Sequence, residues 1–313
     1  MKWLVIFVVL VGVVIALPFV WIGITGKTLS DADRAASAPG KTVSIEDGTL
    51  HYVVRGPDDG PPVVMVHGFS TPHFIYEQNA QALADQGYRV YQFDHFGRGW
   101  SDRPKGPYDT AFYDREVLQF LDALGLTEPV RLVGLSMGGV ISAEFVANHP
   151  DRVSQLFLVV SAGIATSTSS DSLSHKVLMT PLIGDWVWQV FGKSILTGQM
   201  DDVDQLPEAK RLQGDLEIQM QYRGYFPALL STYRHMPMQG RAETFQRAAA
   251  TGTPIKAVFG DADTVVPISS AERLKAVAPS ITVNVIEGGT HGLNYMRYDE
   301  MNPMLLSFFR GEP

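Results

Sequence analysis

The sequence of 313 residues contains no cysteine. That absence excludes disulfides, thiolate metal sites and a cysteine nucleophile together. It leaves the compartment open, because a disulfide-free chain can sit on either side of a membrane. Basic runs are lacking too: 25 Lys and Arg stand against 33 Asp and Glu, a formal charge of −8. This argues against nucleic acid as a partner, since phosphate binding needs clustered cations. The eight histidines are scattered and none belongs to an H-E-x-x-H helix, so neither zinc nor another metal or cofactor is expected. Internal repeats are not visible.

What is present begins with an apolar run. Residues 3–26 carry no charged side chain and are rich in Val, Ile, Leu and Phe. At ~1.5 Å rise per residue the run can cross a ~30 Å hydrocarbon core. Trp3 and Trp21 lie towards its ends, where indoles favour the interface. A signal peptide is the competing reading, but its apolar region is only ~7–15 residues. The triplet Ala36-Ser37-Ala38 lies well beyond the run. The expectation is an uncleaved single-pass membrane anchor over 1–26 and a small, polar linker over 27–41. Charge bias across the run is weak; a short N-terminus before a long domain favours placing that domain outside the cytoplasm.

Beyond the linker, residues 42–55 alternate as a hairpin around Glu46-Asp47-Gly48. Short apolar runs at 63–66, 90–93, 130–135, 156–160, 255–259 and 281–286 read as buried strands. Helical patterns such as 112–124 and 138–147 separate most of them. Buried strands alternating with helices predict an α/β fold with a mostly parallel sheet covered on both faces. The alternation breaks over 164–249, which reads as helical and includes an acidic segment at 201–208. This is a helical cap inserted into a core formed by 42–163 and 250–313.

The chemistry centres on Gly134-Leu135-Ser136-Met137-Gly138-Gly139, placed between an apolar strand and a helix. A sharp strand-to-helix turn crowds the serine backbone, so only small residues fit around it. The helix N-terminus beneath the serine favours developing negative charge. Serine alone is a poor nucleophile and needs a base held by an acid. His291, in a glycine-flanked loop after the run 281–286, is placed to be that base. Asp261 or Asp263, after 255–259, supplies the acid.

With these residues in view, the core resembles the α/β-hydrolase family with a cap. The family pattern G-x-x-D-x-x-x-P falls on Gly260, Asp263 and Pro267, so the resemblance implies Asp263 as the acid. His67-Gly68-Phe69 resembles the family's H-G motif. It implies Phe69 N–H as one oxyanion-hole donor and Met137 N–H as the second, with His67 structural. Residues 94–101, followed by Pro104, match D-x-x-G-x-G-x-S, an architectural turn in which His95 has no assigned chemistry. One departure stands out: Met296 and Tyr298 occupy positions where many members carry Glu and Pro. Loss of that anchor for the last helix predicts a less rigid His291 loop.

A serine at the elbow disfavours haloalkane dehalogenase and epoxide hydrolase chemistry, which the resemblance associates with Asp there. The expected activity is hydrolysis of carboxylic esters through an acyl-enzyme. Trp186, Trp188, Phe191, Met179 and Leu182 are candidates to line an acyl tunnel under the cap. Together with the anchor they favour a lipophilic or monoacyl ester as substrate, and the pairing resembles membrane-bound monoacylglycerol lipases. C–C bond hydrolysis of ring-cleavage diketones is the alternative, though that subgroup often has Asn where Leu135 stands. A non-catalytic binding protein on the same fold is the rival from another class.

Overall fold

A computed structural model describes residues 1–166, 171–198 and 209–312; the acidic cap segment 201–208 lies outside them. The described residues build an eight-stranded sheet from β1 (Lys41–Ile45), β2 (Gly48–Arg55), β3 (Pro62–Val66), β4 (Arg89–Phe93), β5 (Val130–Leu135), β6 (Val153–Val159), β7 (Ile255–Gly260) and β8 (Thr282–Ile286). Their spatial order is β1-β2-β4-β3-β5-β6-β7-β8. Only β2 runs against its neighbours; β4 through β8 are parallel. The strands centre on the apolar runs, and β1 and β2 turn at Glu46-Asp47.

Alternation along the buried strands divides the core in two. Val64, Val66, Leu132, Leu156 and Phe259 pack on one face with helices Thr110–Ala123, Ala242–Ala250 and Ser269–Val277. Val63, Met65, Val133, Phe157 and Val258 pack on the other with Glu77–Ala84 and Tyr298–Phe309. The period of two places successive residues on opposite faces, so both faces must be covered for such runs to stay out of water.

Between β6 and β7 the described chain is helical: Leu173–Met179, Ile183–Gly198, Ala209–Met220 and Tyr225–His235 form the cap, whereas Ala242–Ala250, within the expected cap 164–249, packs on the sheet. These cap helices hold their own small core of Leu178, Trp188, Leu196, Phe226 and Leu229, and Phe69 of the central domain packs against it.

The segment read as a linker is instead packed on the domain. Ser30 caps a short helix, Asp31–Ser37, through a capping box with Asp33. Arg34 is buried, donating to the Trp100 carbonyl at 2.8 Å and pairing with Asp31 at 2.8 Å and with Asp102. The apolar run is one helix, Lys2–Thr25, long and apolar enough to cross a membrane.

Candidate active site

Ser136 follows β5 directly and begins helix Met137–Asn148. Its backbone lies at φ 53°, ψ −115°, a conformation that costs a non-glycine residue about 1–3 kcal/mol. The turn is held from both sides, by Ser136 N–H donating to Val159 O at 3.0 Å and Ala162 N–H donating to Ser136 O at 3.1 Å. The neighbouring glycines are sterically required. A Cβ on Gly138 would lie 2.0 Å from Val66 O, and one on Gly134 would lie 2.6 Å from Gly138 O. A second strained residue, Val160 at φ 39°, follows β6 beside this turn.

The structure brings Ser136, His291 and Asp263 together. Asp263 follows β7; its Oδ1 accepts from Val265 N–H at 2.7 Å and Val266 N–H at 2.8 Å, which fixes the carboxylate. His291 Nδ1 donates to Asp263 Oδ2 at 2.8 Å, and Ser136 Oγ lies 3.0 Å from His291 Nε2. With Nδ1–H committed to the carboxylate, Nε2 is left as the acceptor of the serine proton. Asp261 is turned elsewhere, its Oδ1 accepting from Gly288 N–H at 2.6 Å.

Met137 follows the serine directly, and neither its amide N–H nor that of Phe69 has an acceptor among the described residues. Gly68, next to Phe69, has its Cα side within 4.0 Å of Ser136 Oγ, measured from where a Cβ would stand. The loop carrying Phe69 is clamped from behind. Arg98, fully buried, donates to Phe69 O at 3.0 Å, Phe96 O at 3.1 Å and Thr232 Oγ1 at 2.8 Å. It thereby ties the loop, the 94–101 turn and a cap helix together. His67 Nε2 accepts from His95 N–H at 2.9 Å, and His95 Nδ1 pairs with Glu116. Burial pushes the Glu116 carboxyl up to about 8, while burial and nearby Arg98 pull the His95 imidazole down to about 3. The two are neutral partners in which Glu116 donates its proton to Nδ1, leaving Nε2–H towards His67 O. Sequence reasoning passed over Arg98 and Glu116, since only the packed fold shows that these charged side chains are buried.

The aromatic candidates of the cap are not gathered in an enclosed tunnel. Leu182 is 79% exposed, Phe191 50% and Met179 39%. Trp188 is buried in the cap's own core, donating to Phe226 O at 2.9 Å. Trp186 donates to Val14 O of the N-terminal helix at 3.2 Å. Side-chain spacing along a helix does not say which face turns inward, and here apolar side chains stand on both faces. A cavity of about 490 Å³ opens elsewhere, between Lys27, His73, Glu77, Arg211 and Tyr222, and does not include Ser136.

The His291 loop is anchored despite Met296 and Tyr298, contrary to the expected looseness. Asn294 Nδ2 donates to Ile75 O at 2.7 Å, Asn79 donates to Asn294 O at 2.9 Å, and Arg297 donates to Glu287 O at 3.0 Å. Among the described residues, His51, His73 and Asp94 are the group whose ligand atoms could converge on a metal ion. Those atoms are already engaged: both imidazoles donate Nδ1–H to Asp94 at 2.8 Å, and His51 Nε2 bonds Pro39 O.

A family model described as the alpha/beta hydrolase fold matches residues 61–296. The chain belongs to the α/β-hydrolase fold family. It is 24% identical over 269 residues to a putative non-heme chloroperoxidase of Synechocystis, covering 80% of this chain and 92% of that protein. It is 25% identical over 271 residues to carboxylesterase YbfK of Bacillus subtilis, covering 86% and 87%. Among solved structures, a membrane phospholipase A described as a bacterial virulence factor superposes with a TM-score of 0.67 at 23% identity, over 99% of both chains.

Proposed function

We infer that the protein is a serine carboxylic-ester hydrolase of lipophilic, monoacyl-type esters, held at a bilayer by helix Lys2–Thr25. The observation that carries the catalytic part is the hydrogen-bonded chain Ser136–His291–Asp263 at a strained elbow. Ser136 Oγ attacks the ester carbonyl as its proton passes to His291 Nε2. The Phe69 and Met137 amides hold the oxyanion, each donor worth about 3 kcal/mol. The alcohol departs with the proton from His291, and water then repeats the sequence on the acyl-enzyme. Asp263 keeps the imidazole in the required tautomer. Carboxylesterase YbfK supports ester chemistry. The membrane phospholipase A supports an acyl ester met at a membrane, matching this chain along its N-terminal helix as well.

A fluorophosphonate probe is expected to label the wild type and not Ser136→Ala, whose ester turnover falls by at least about 10⁴-fold. Across p-nitrophenyl esters from C2 to C16 and a monoacylglycerol, medium and long acyl chains are expected to be preferred. Activity confined to C2 esters, or to vinylogous diketones, would overturn the substrate assignment.

A further inference from the structure

Helix Ile183–Gly198 is amphipathic in the unusual sense. Its buried line is Gly184, Trp188, Gly192 and Leu196, spaced four apart against the cap core. The opposite face carries Ile183, Val190 and Phe191, exposed at 57%, 40% and 50%. A soluble surface helix turns polar side chains that way. Ser194 is the exposed polar residue among them, while Asp185, near the buried line, and Lys193, at the patch edge, are paired with Arg234 at 3.0 Å and Glu217 at 3.0 Å. Leu182, just before the helix, extends the patch at 79% exposure and φ 64°, a left-handed conformation that glycine would take more easily.

This face lies beside the N-terminal helix. Trp186 Nε1 donates to Val14 O at 3.2 Å, and Arg223 donates to Gly23 O at 2.7 Å and Gly26 O at 2.8 Å. The cap therefore meets this helix at Val14, Gly23 and Gly26, with side chains such as Leu17 and Trp21 between them left exposed. The half it leaves free, residues 2–13, reaches only about 18 Å at ~1.5 Å per residue. A hydrocarbon core is ~30 Å thick. The helix can span only if the cap face beside it enters lipid as well.

We propose that the outward face of Ile183–Gly198, with Leu182, is immersed in the acyl region of the leaflet that holds the C-terminal half of the N-terminal helix. The proposal rests on the reading that Lys2–Thr25 spans a bilayer. Its occupant is lipid, and a second copy of the chain is the competing occupant.

The cysteine-free sequence makes the test direct. Single cysteines are introduced in the full chain as Leu182→Cys, Val190→Cys, Phe191→Cys, Val13→Cys in the N-terminal helix, and Ala276→Cys on an exposed core helix. Each is labelled with an environment-sensitive fluorophore and reconstituted into phosphatidylcholine vesicles bearing acyl-chain nitroxides. Labels at 182, 190 and 191 are expected to shift to the blue and to be quenched comparably with 13, while 276 stays aqueous. Quenching at 13 with aqueous signals at 182, 190 and 191 overturns the proposal and leaves the anchor standing. A blue shift at the patch without nitroxide quenching overturns it in favour of a protein-covered face. Equal quenching at every position, 276 included, overturns it as unspecific adsorption. No quenching at 13 removes the anchor reading, and the proposal with it.

Discussion

Individual side chains divide by whether their role depends on neighbours in sequence or in space. Ser136, Asp263 and His291 were legible because each sits in a short motif beside a strand end, and the fold brings those ends to one edge of the sheet. The choice between Asp261 and Asp263 now has a geometric basis: one carboxylate faces Gly288 N–H, the other the imidazole. Asp263→Asn is expected to lower kcat on a p-nitrophenyl ester by about 10⁴-fold, because the amide favours the wrong tautomer. Asp261→Asn, still able to accept from Gly288, is expected to stay within a few-fold of wild type. Arg98, buried and donating to three partners, was not legible, since nothing local distinguishes it from a surface arginine. The cap aromatics were legible as apolar but not as inward or outward.

At the scale of elements, strand and helix positions followed the apolar periodicity closely, and the order of strands in the sheet did not. Register and order depend on long-range pairings such as Val63 with Val90 and Arg131, which no local pattern encodes. The stretch 27–41 was misread because small polar residues compose linkers and capped short helices alike. Its packing has a measurable effect. A chain beginning at residue 42 loses Arg34 and leaves Asp102 and the Trp100 carbonyl without their partner. Hydrogen bonds to a charged group contribute about 1.5–3 kcal/mol. Thermal unfolding of 42–313 is therefore expected several degrees below that of 27–313, and Arg34→Ala in the longer chain should reproduce most of the drop.

For the molecule as a whole, the buried Glu116 behind the Phe69 loop makes stability fall with rising pH, while its partner His95, pulled down to about 3, acts in the opposite sense below pH 6.5 and does so in wild type and Glu116→Gln alike. Glu116 holds its proton up to about 8 in the fold, against an ordinary value of 4.5. The folded chain thus keeps a proton that the unfolded chain releases across that window. Its contribution is complete below pH 4.5, declines by up to about 1.4 kcal/mol per pH unit, and is gone above pH 8. Urea unfolding of wild type and Glu116→Gln, compared from pH 5 to 8, should show the wild type losing ground steadily to the variant. The elbow bears on the same quantity. Glycine adopts the φ and ψ of Ser136 freely; its entropic penalty of about 0.4–1 kcal/mol in the unfolded chain is smaller than the strain of about 1–3 kcal/mol it relieves. Ser136→Gly should therefore melt above Ser136→Ala. On the proposal that Ser136 is the nucleophile, heat resistance and reactivity compete at this residue, and the chain gives up the first to keep the second.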